Sequence, residues 1–170
     1  MREILFKAKR IDNGEWVEGH YYKMPETTYC FKEDYEKNPV PIHHYIVFSR
    51  MTDWGMPNVL CQAEVVPETL CQYTGLTDKN GKRIWENDIL MCHGNPIELV
   101  KAVFGKFKVM SIRTGAAIDE VIGWHYEVMP TDAISRAEPF CYPMPLTKFY
   151  ITRCEMEVVN NPELLQEARE

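Results

Sequence analysis

The sequence predicts a mainly β protein built of short antiparallel strands and hairpins, with a short helix at its C-terminus. Three observations carry this expectation. An Asn-Gly turn occurs twice between runs rich in β-branched and aromatic residues, apolar and polar residues alternate in the second half, and only the C-terminus carries a strong helix-start signal. Several short strands at close spacing point to a small barrel or sandwich rather than a parallel α/β sheet.

In chain order, the first turn is Asp12, Asn13 and Gly14, flanked by runs at 6–11 and 15–22. Asn-Gly supplies positive φ at both central positions of a tight hairpin. The stretch 24–41 carries Pro25, Pro39 and Pro41 with a mixed-charge run at 32–37, and reads as a long surface excursion. A short strand follows at 45–49, then a loop around Trp54, then a strand at 61–66 that Pro67 stops. The second Asn-Gly turn, Asp78 to Gly81, lies between runs at 73–77 and 83–91. Trp16 with Glu18 and Trp85 with Glu86 follow the two turns, a faint sign of a repeat.

Beyond them, runs at 97–104, 107–113, 121–129 and 149–159 read as strands, separated by Gly105, by Gly115 and by a proline-bearing stretch at 130–145. Phe107 and Val109 alternate with Lys106 and Lys108, the pattern of a strand with one wet face. Asn161 can cap a helix, Pro162 suits its first position, and Leu164, Leu165 and Ala168 form its apolar stripe.

The 170 residues suffice for one compact domain with a real core or for two small ones, and 45% hydrophobic residues exclude a disordered chain. The formal charge of −6 argues against a general nucleic-acid coat, which needs an excess of Lys and Arg. No apolar run is long enough to span a membrane. Only Ile4, Leu5 and Phe6 separate Glu3 from Lys7, too few for a signal-peptide core. The expected location is therefore the cytoplasm, with the thiols reduced.

Cys92 beside His93 has the types of a thiol nucleophile and its base, yet neighbours on a strand point to opposite faces, so a buried thiol beside a loop histidine is the simpler reading. His20, His43, His44, His93 and His125, with six cysteines, show no recurring metal-ligand spacing, and no metal or other cofactor is expected. Asp78, Glu86 and Asp88 stand close enough for paired acid and base work, but turn carboxylates accepting backbone N–H groups explain Asp78 and Asp88 more simply. Gly75, Gly81 and Gly94 form no phosphate loop. Lys101, Lys106, Lys108 and Arg113 lie in a stretch, 99–118, that lacks any acidic residue, with Phe104, Phe107 and Trp124 at hand. A basic strand with stacking aromatics is how small barrels hold single-stranded nucleic acid.

Several motifs together resemble the YopX family. They are Phe6 to Arg10 with Asn13, Gly14, Glu15, Trp16 and Val17; Gln72, Tyr73, Thr74, Gly75 and Leu76; Asp78, Asn80 and Gly81; Trp85 with Asp88 and Ile89; and Asn161, Pro162, Glu163, Leu164 and Leu165. The resemblance implies a phage or prophage protein with no established activity, and a single domain. Its N-terminal β region would reach residue 87 with an insertion at about 24–63, followed by an SH3-like barrel over 88–160 and the helix at 161–170. Asn87 stands where the family has glycine, a place Asn can fill because it tolerates a left-handed backbone. The resemblance carries over no catalytic residue.

The resulting expectation is a non-enzymatic protein acting by contact with a protein partner or with itself. Strand edges demand covering, and aromatic residues, including four tryptophans, favour interfaces. Single-stranded nucleic-acid binding through the basic strand is the alternative, and an enzyme with a Cys/His or carboxylate site a lesser one.

Overall fold

A computed structural model describes residues 3–111 and 113–159. The predicted C-terminal helix, with Asn161 and Pro162, lies outside the described residues. The chain divides into two units, Met1–Gln72 and Tyr73–Glu170. The fold is mainly β, as expected, and the strand pairs are antiparallel.

In the first unit, β1 (Phe6–Lys9) pairs with β2 (Trp16–Pro25), β2 with β3 (Ile42–Arg50), and β3 with β4 (Val59–Glu64). β1 also pairs, through Phe6 and Lys7, with Gln72 and Cys71 at the start of β5 (Cys71–Thr77). Alternation places Ala8 and Ile46 on one face, where with Val65 they form a small buried core against Phe6, Val17, Tyr21, Phe48 and Leu70. Gly19 permits this packing, because a Cβ there would stand 2.2 Å from the Val47 carbonyl oxygen. The predicted excursion at 24–41 lies, as expected, between two strands and is exposed. β2 runs on to Pro25, β3 begins at Ile42, and the charged run forms a short exposed helix, α1 (Lys32–Lys37).

In the second unit, β5 pairs with β6 (Arg83–Trp85). A five-stranded sheet follows, in the order β10-β9-β8-β7-β11: β7 is Ile89–Met91, β8 Leu99–Met110, β9 Ala117–Val128, β10 Met144–Pro145 and β11 Glu157–Val158. This sheet does not close into a barrel. The core contains Ile84, Leu90, Val100, Ala102, Tyr126, Leu146, Ile151 and Met156.

Four expectations from the sequence differ from the structure. The runs at 97–104 and 107–113 form one continuous strand through Gly105, because cross-strand pairing of Gly105 with Gly123 keeps the ladder intact where local propensity falls. The run at 149–159 is a helix, α2 (Lys148–Arg153), followed by β11. Thr147 caps it by accepting from the Tyr150 N–H, and burial of Ile151 outweighs the β propensity of its aromatic and β-branched residues. Both Asn-Gly turns use positive φ at glycine alone, Gly14 at 72° and Gly81 at 82°. In the second turn the Gly81 N–H donates to the Asp78 carbonyl and Asp78 pairs with Lys82, which makes it a three-residue loop with a left-handed glycine. The suggested repeat also dissolves: Trp16 lies exposed beside the Lys7 and Lys9 ammonium groups, whereas Trp85 is buried against Tyr73.

Candidate binding sites

The motif residues of the second unit assemble a hydrogen-bonded knot. The Asp78 carboxylate is buried and accepts three backbone N–H groups, those of Asn80 at 2.8 Å, Lys82 at 2.9 Å and Val158 at 3.0 Å. Buried Thr74 donates to the Ile84 carbonyl at 2.8 Å and accepts from the Leu76 N–H. Gly75 takes positive φ where the β5–β6 register shifts, and Asn87 takes φ 66°, the left-handed backbone its sequence position requires. Asp88 accepts from the Trp85 N–H at 2.8 Å. Asp78 and Asp88 are thus each committed to the backbone of their own turn. In the first unit Asn13 closes its turn on Glu15, accepting from the backbone N–H and donating to the carboxylate.

Cys92 and His93 do not meet. Cys92 is buried, and His93, with φ 54°, turns outward to Glu98, its Nδ1 lying 3.0 Å from Oε2. The loop that carries them closes on itself, because the Cys92 N–H donates to the Glu98 carbonyl and the Asn95 N–H to the Cys92 carbonyl. The His93 N–H donates to the Cys154 carbonyl, which draws the residues after α2 to the same place. Burial pushes the Cys92 thiol up to about 12, with Cys154 and Glu98 adding to the effect, and burial raises Cys154 as well. A thiol so raised is a poor nucleophile.

These residues line a cleft of about 480 Å³. Its walls are apolar, from Ile97, Leu99 and Val128 to Ile134 and Phe140, with Tyr126 among them. Two carboxylates stand at its mouth. Hydrogen bonds from His93 and Asn95 hold Glu98 below the usual carboxylate range, and Ser135, through its backbone and side chain, does the same for Asp132. Nothing in the local sequence signals this cleft, since its lining comes from four separated segments.

The basic strand is locally balanced. Lys106 forms an ion pair with Glu120, and the strand register sets Lys101 opposite Glu127 and Lys108 opposite Glu120. Arg113 lies in the turn that leads to β9. Phe104 is half-exposed and meets Trp124 edge to face at 5.1 Å, while Phe107 is buried and stacks on His125 at 4.4 Å. Two other histidines are engaged separately: His44 bonds the Tyr21 hydroxyl at 2.7 Å, and His43 bonds Glu64 at 2.6 Å. Among the described residues no three His, Cys, Asp or Glu side chains gather to hold a metal ion, and no helix is long and apolar enough to cross a membrane.

A different surface stands out at the end of the β3–β4 hairpin. Trp54 is 91% exposed and Leu60 79%, with Met51 and Met56 exposed beside them. The turn that presents Trp54 is ordered by hydrogen bonds, Asp53 accepting the Trp54 N–H at 2.7 Å and Thr52 donating to the Pro57 carbonyl at 3.1 Å. From Val59 to Ala63 β4 pairs, among the described residues, only with β3, while at its end Glu64 accepts from the Ile11 N–H; no charged residue occurs from 54 to 63.

The sequence model described as YopX protein matches residues 5–139 of this chain. No curated protein matches it.

Two measurements follow from these environments. At about pH 8, iodoacetamide should alkylate exposed Cys30 readily in the folded protein and Cys92 roughly a thousandfold more slowly, read by mass spectrometry of peptides. Comparable rates would refute the buried-thiol assignment. His43 provides the second. Its hydrogen bond to the Glu64 carboxylate raises its pKa above 6.5 against partial burial, with the charges of Glu64 and Glu26 assisting. Its stabilisation is complete below about pH 6.5 and fades as pH rises through the raised folded value. Glu64→Gln should therefore destabilise the protein more at about pH 5.5 than at about pH 8.5 in urea unfolding; an equal loss at both would remove the ionic contribution.

Proposed function

We propose that this chain, which belongs to the YopX family, works by contact rather than by catalysis, and that the exposed end of its β3–β4 hairpin is the contact surface, with a second copy of the chain as the partner. The observation that carries the reading is the coincidence of Trp54 and Leu60, both exposed, with an open strand edge free of charge. Proteins ordinarily guard such edges with lysine, proline or a bulge, and from Val59 to Ala63 β4 has none of these. A chain of net charge −6 repels its own copies except through a neutral face, and this hairpin supplies one. Antiparallel pairing of two β4 edges is self-complementary, as a two-fold dimer requires. The raised thiol pKa values and the turn-bound carboxylates support a role without catalysis.

Nucleic-acid binding finds less support, because Lys106 is paired and Lys101 and Lys108 each face a carboxylate. Light scattering of the purified chain should give about twice 19.9 kDa, falling to 19.9 kDa when Trp54→Ser and Leu60→Lys are combined. A monomer at every concentration, before any substitution, would defeat the reading. An absorbance ratio showing nucleic acid carried through purification would favour the alternative instead.

A further inference from the structure

The cleft in the second unit contains a polar group without a hydrogen-bond partner among the described residues. Tyr126 is only 8% exposed, and its ring meets Tyr150 edge-on at 6.1 Å. Its hydroxyl makes no hydrogen bond to any described residue; the groups that act on its ionisation are the Cys154 and Cys92 thiols and Tyr150, beyond burial itself. The oxygen is not sealed in the core either, since among the described residues Trp124 Nε1 is the one fully enclosed side-chain atom lacking a partner. Tyr126 borders both the cleft of about 480 Å³ and a second space of about 240 Å³, and Val128 and Phe140 border both as well. Burial of a tyrosine hydroxyl normally comes with a hydrogen-bond partner.

We propose that this cleft binds a neutral, largely apolar small molecule whose hydrogen-bond acceptor is engaged by the Tyr126 hydroxyl. The volume lies within the range of small-molecule sites, and Ile97, Leu99, Val128, Ile134 and Phe140 supply the apolar wall. Water is a poor occupant of that wall itself, because it needs two to four polar partners and the apolar wall residues offer none beside the Tyr126 hydroxyl. The mouth selects by charge. Glu98 and Asp132 face it as ionised carboxylates close enough to repel each other, which turns anions away. Both are held in place, Glu98 by His93 and Asn95 and Asp132 by the Ser135 N–H. Burial raises the Tyr126 phenol well above its ordinary value, which keeps it a proton donor at any physiological pH. The site is independent of the hairpin surface and of the self-association proposed for it.

The test is an NMR titration of the full-length ¹⁵N-labelled chain with three probes: acetophenone, its hydrocarbon counterpart α-methylstyrene, and benzoate. Acetophenone should produce saturable shifts at the amides of Glu98, Val128 and Ser135 and bind about three- to tenfold more tightly than α-methylstyrene, the margin of one neutral hydrogen bond. Tyr126→Phe, which keeps the ring, should abolish that preference while retaining both ligands. Ile134→Arg, at an exposed lining position that does not threaten the fold, should weaken both. Benzoate should give no saturable shift. The proposal is overturned by non-saturating shifts with acetophenone at millimolar concentration, by equal affinity for ketone and hydrocarbon in the unsubstituted protein, or by benzoate binding as tightly as acetophenone.

Discussion

The buried carboxylate of Asp78 organises the second unit. A carboxylate removed from water must have its lone pairs satisfied, and three backbone N–H groups do so here, two from its own turn and one from Val158, eighty positions away. The turn and the last described strand are thereby fixed to each other. Lys79 reinforces the link twice, through its N–H on the Met156 carbonyl and through its ammonium on Glu157 at 3.0 Å. With β11 held, it pairs with β7, Met156 enters the core, and the residues after α2 lie against the Cys92 loop. The cleft is a consequence of that closure, because Cys154 reaches its lining only when this segment is in place.

The same constraint gives the densest motif of the sequence a structural use. Thr74, Gly75, Asp78, Gly81, Asn87 and Asp88 each meet a backbone demand: a carbonyl to donate to, an N–H to accept, or a positive φ. Residue types that suggest acid and base chemistry in a linear sequence are used up in holding chain segments together. What remains available for recognition lies elsewhere, in an apolar hairpin end on the first unit and an apolar cleft on the second.

Legibility in the sequence followed the range of the interactions. Both hairpins were readable because Asn-Gly turns act locally, whereas the left-handed backbone at Asn87 was implied by the family resemblance. The turn geometry was misjudged because only glycine takes positive φ when the loop is longer than two residues. α2 was hidden by its composition: Phe149, Tyr150, Ile151 and Thr152 favour strands, and the Thr147 cap and the buried face of Ile151 decide otherwise. The open form of the five-stranded sheet could not be read at all, since strand propensity carries no information on closure. The cleft was the least legible feature. Cys92 and His93 drew attention for a pairing they do not make, while Tyr126, Glu98, Asp132 and Ser135 come together only through the tertiary fold.

Backbone hydrogen exchange, compared between the unsubstituted protein and Asp78→Ala, measures the central constraint directly. The Asn80, Lys82 and Val158 amides should be protected together in the first and lose protection together in the second, because one side chain accepts from all three. Continued protection of the Val158 amide after removal of the carboxylate would contradict the account, for β11 would then be held by something other than Asp78.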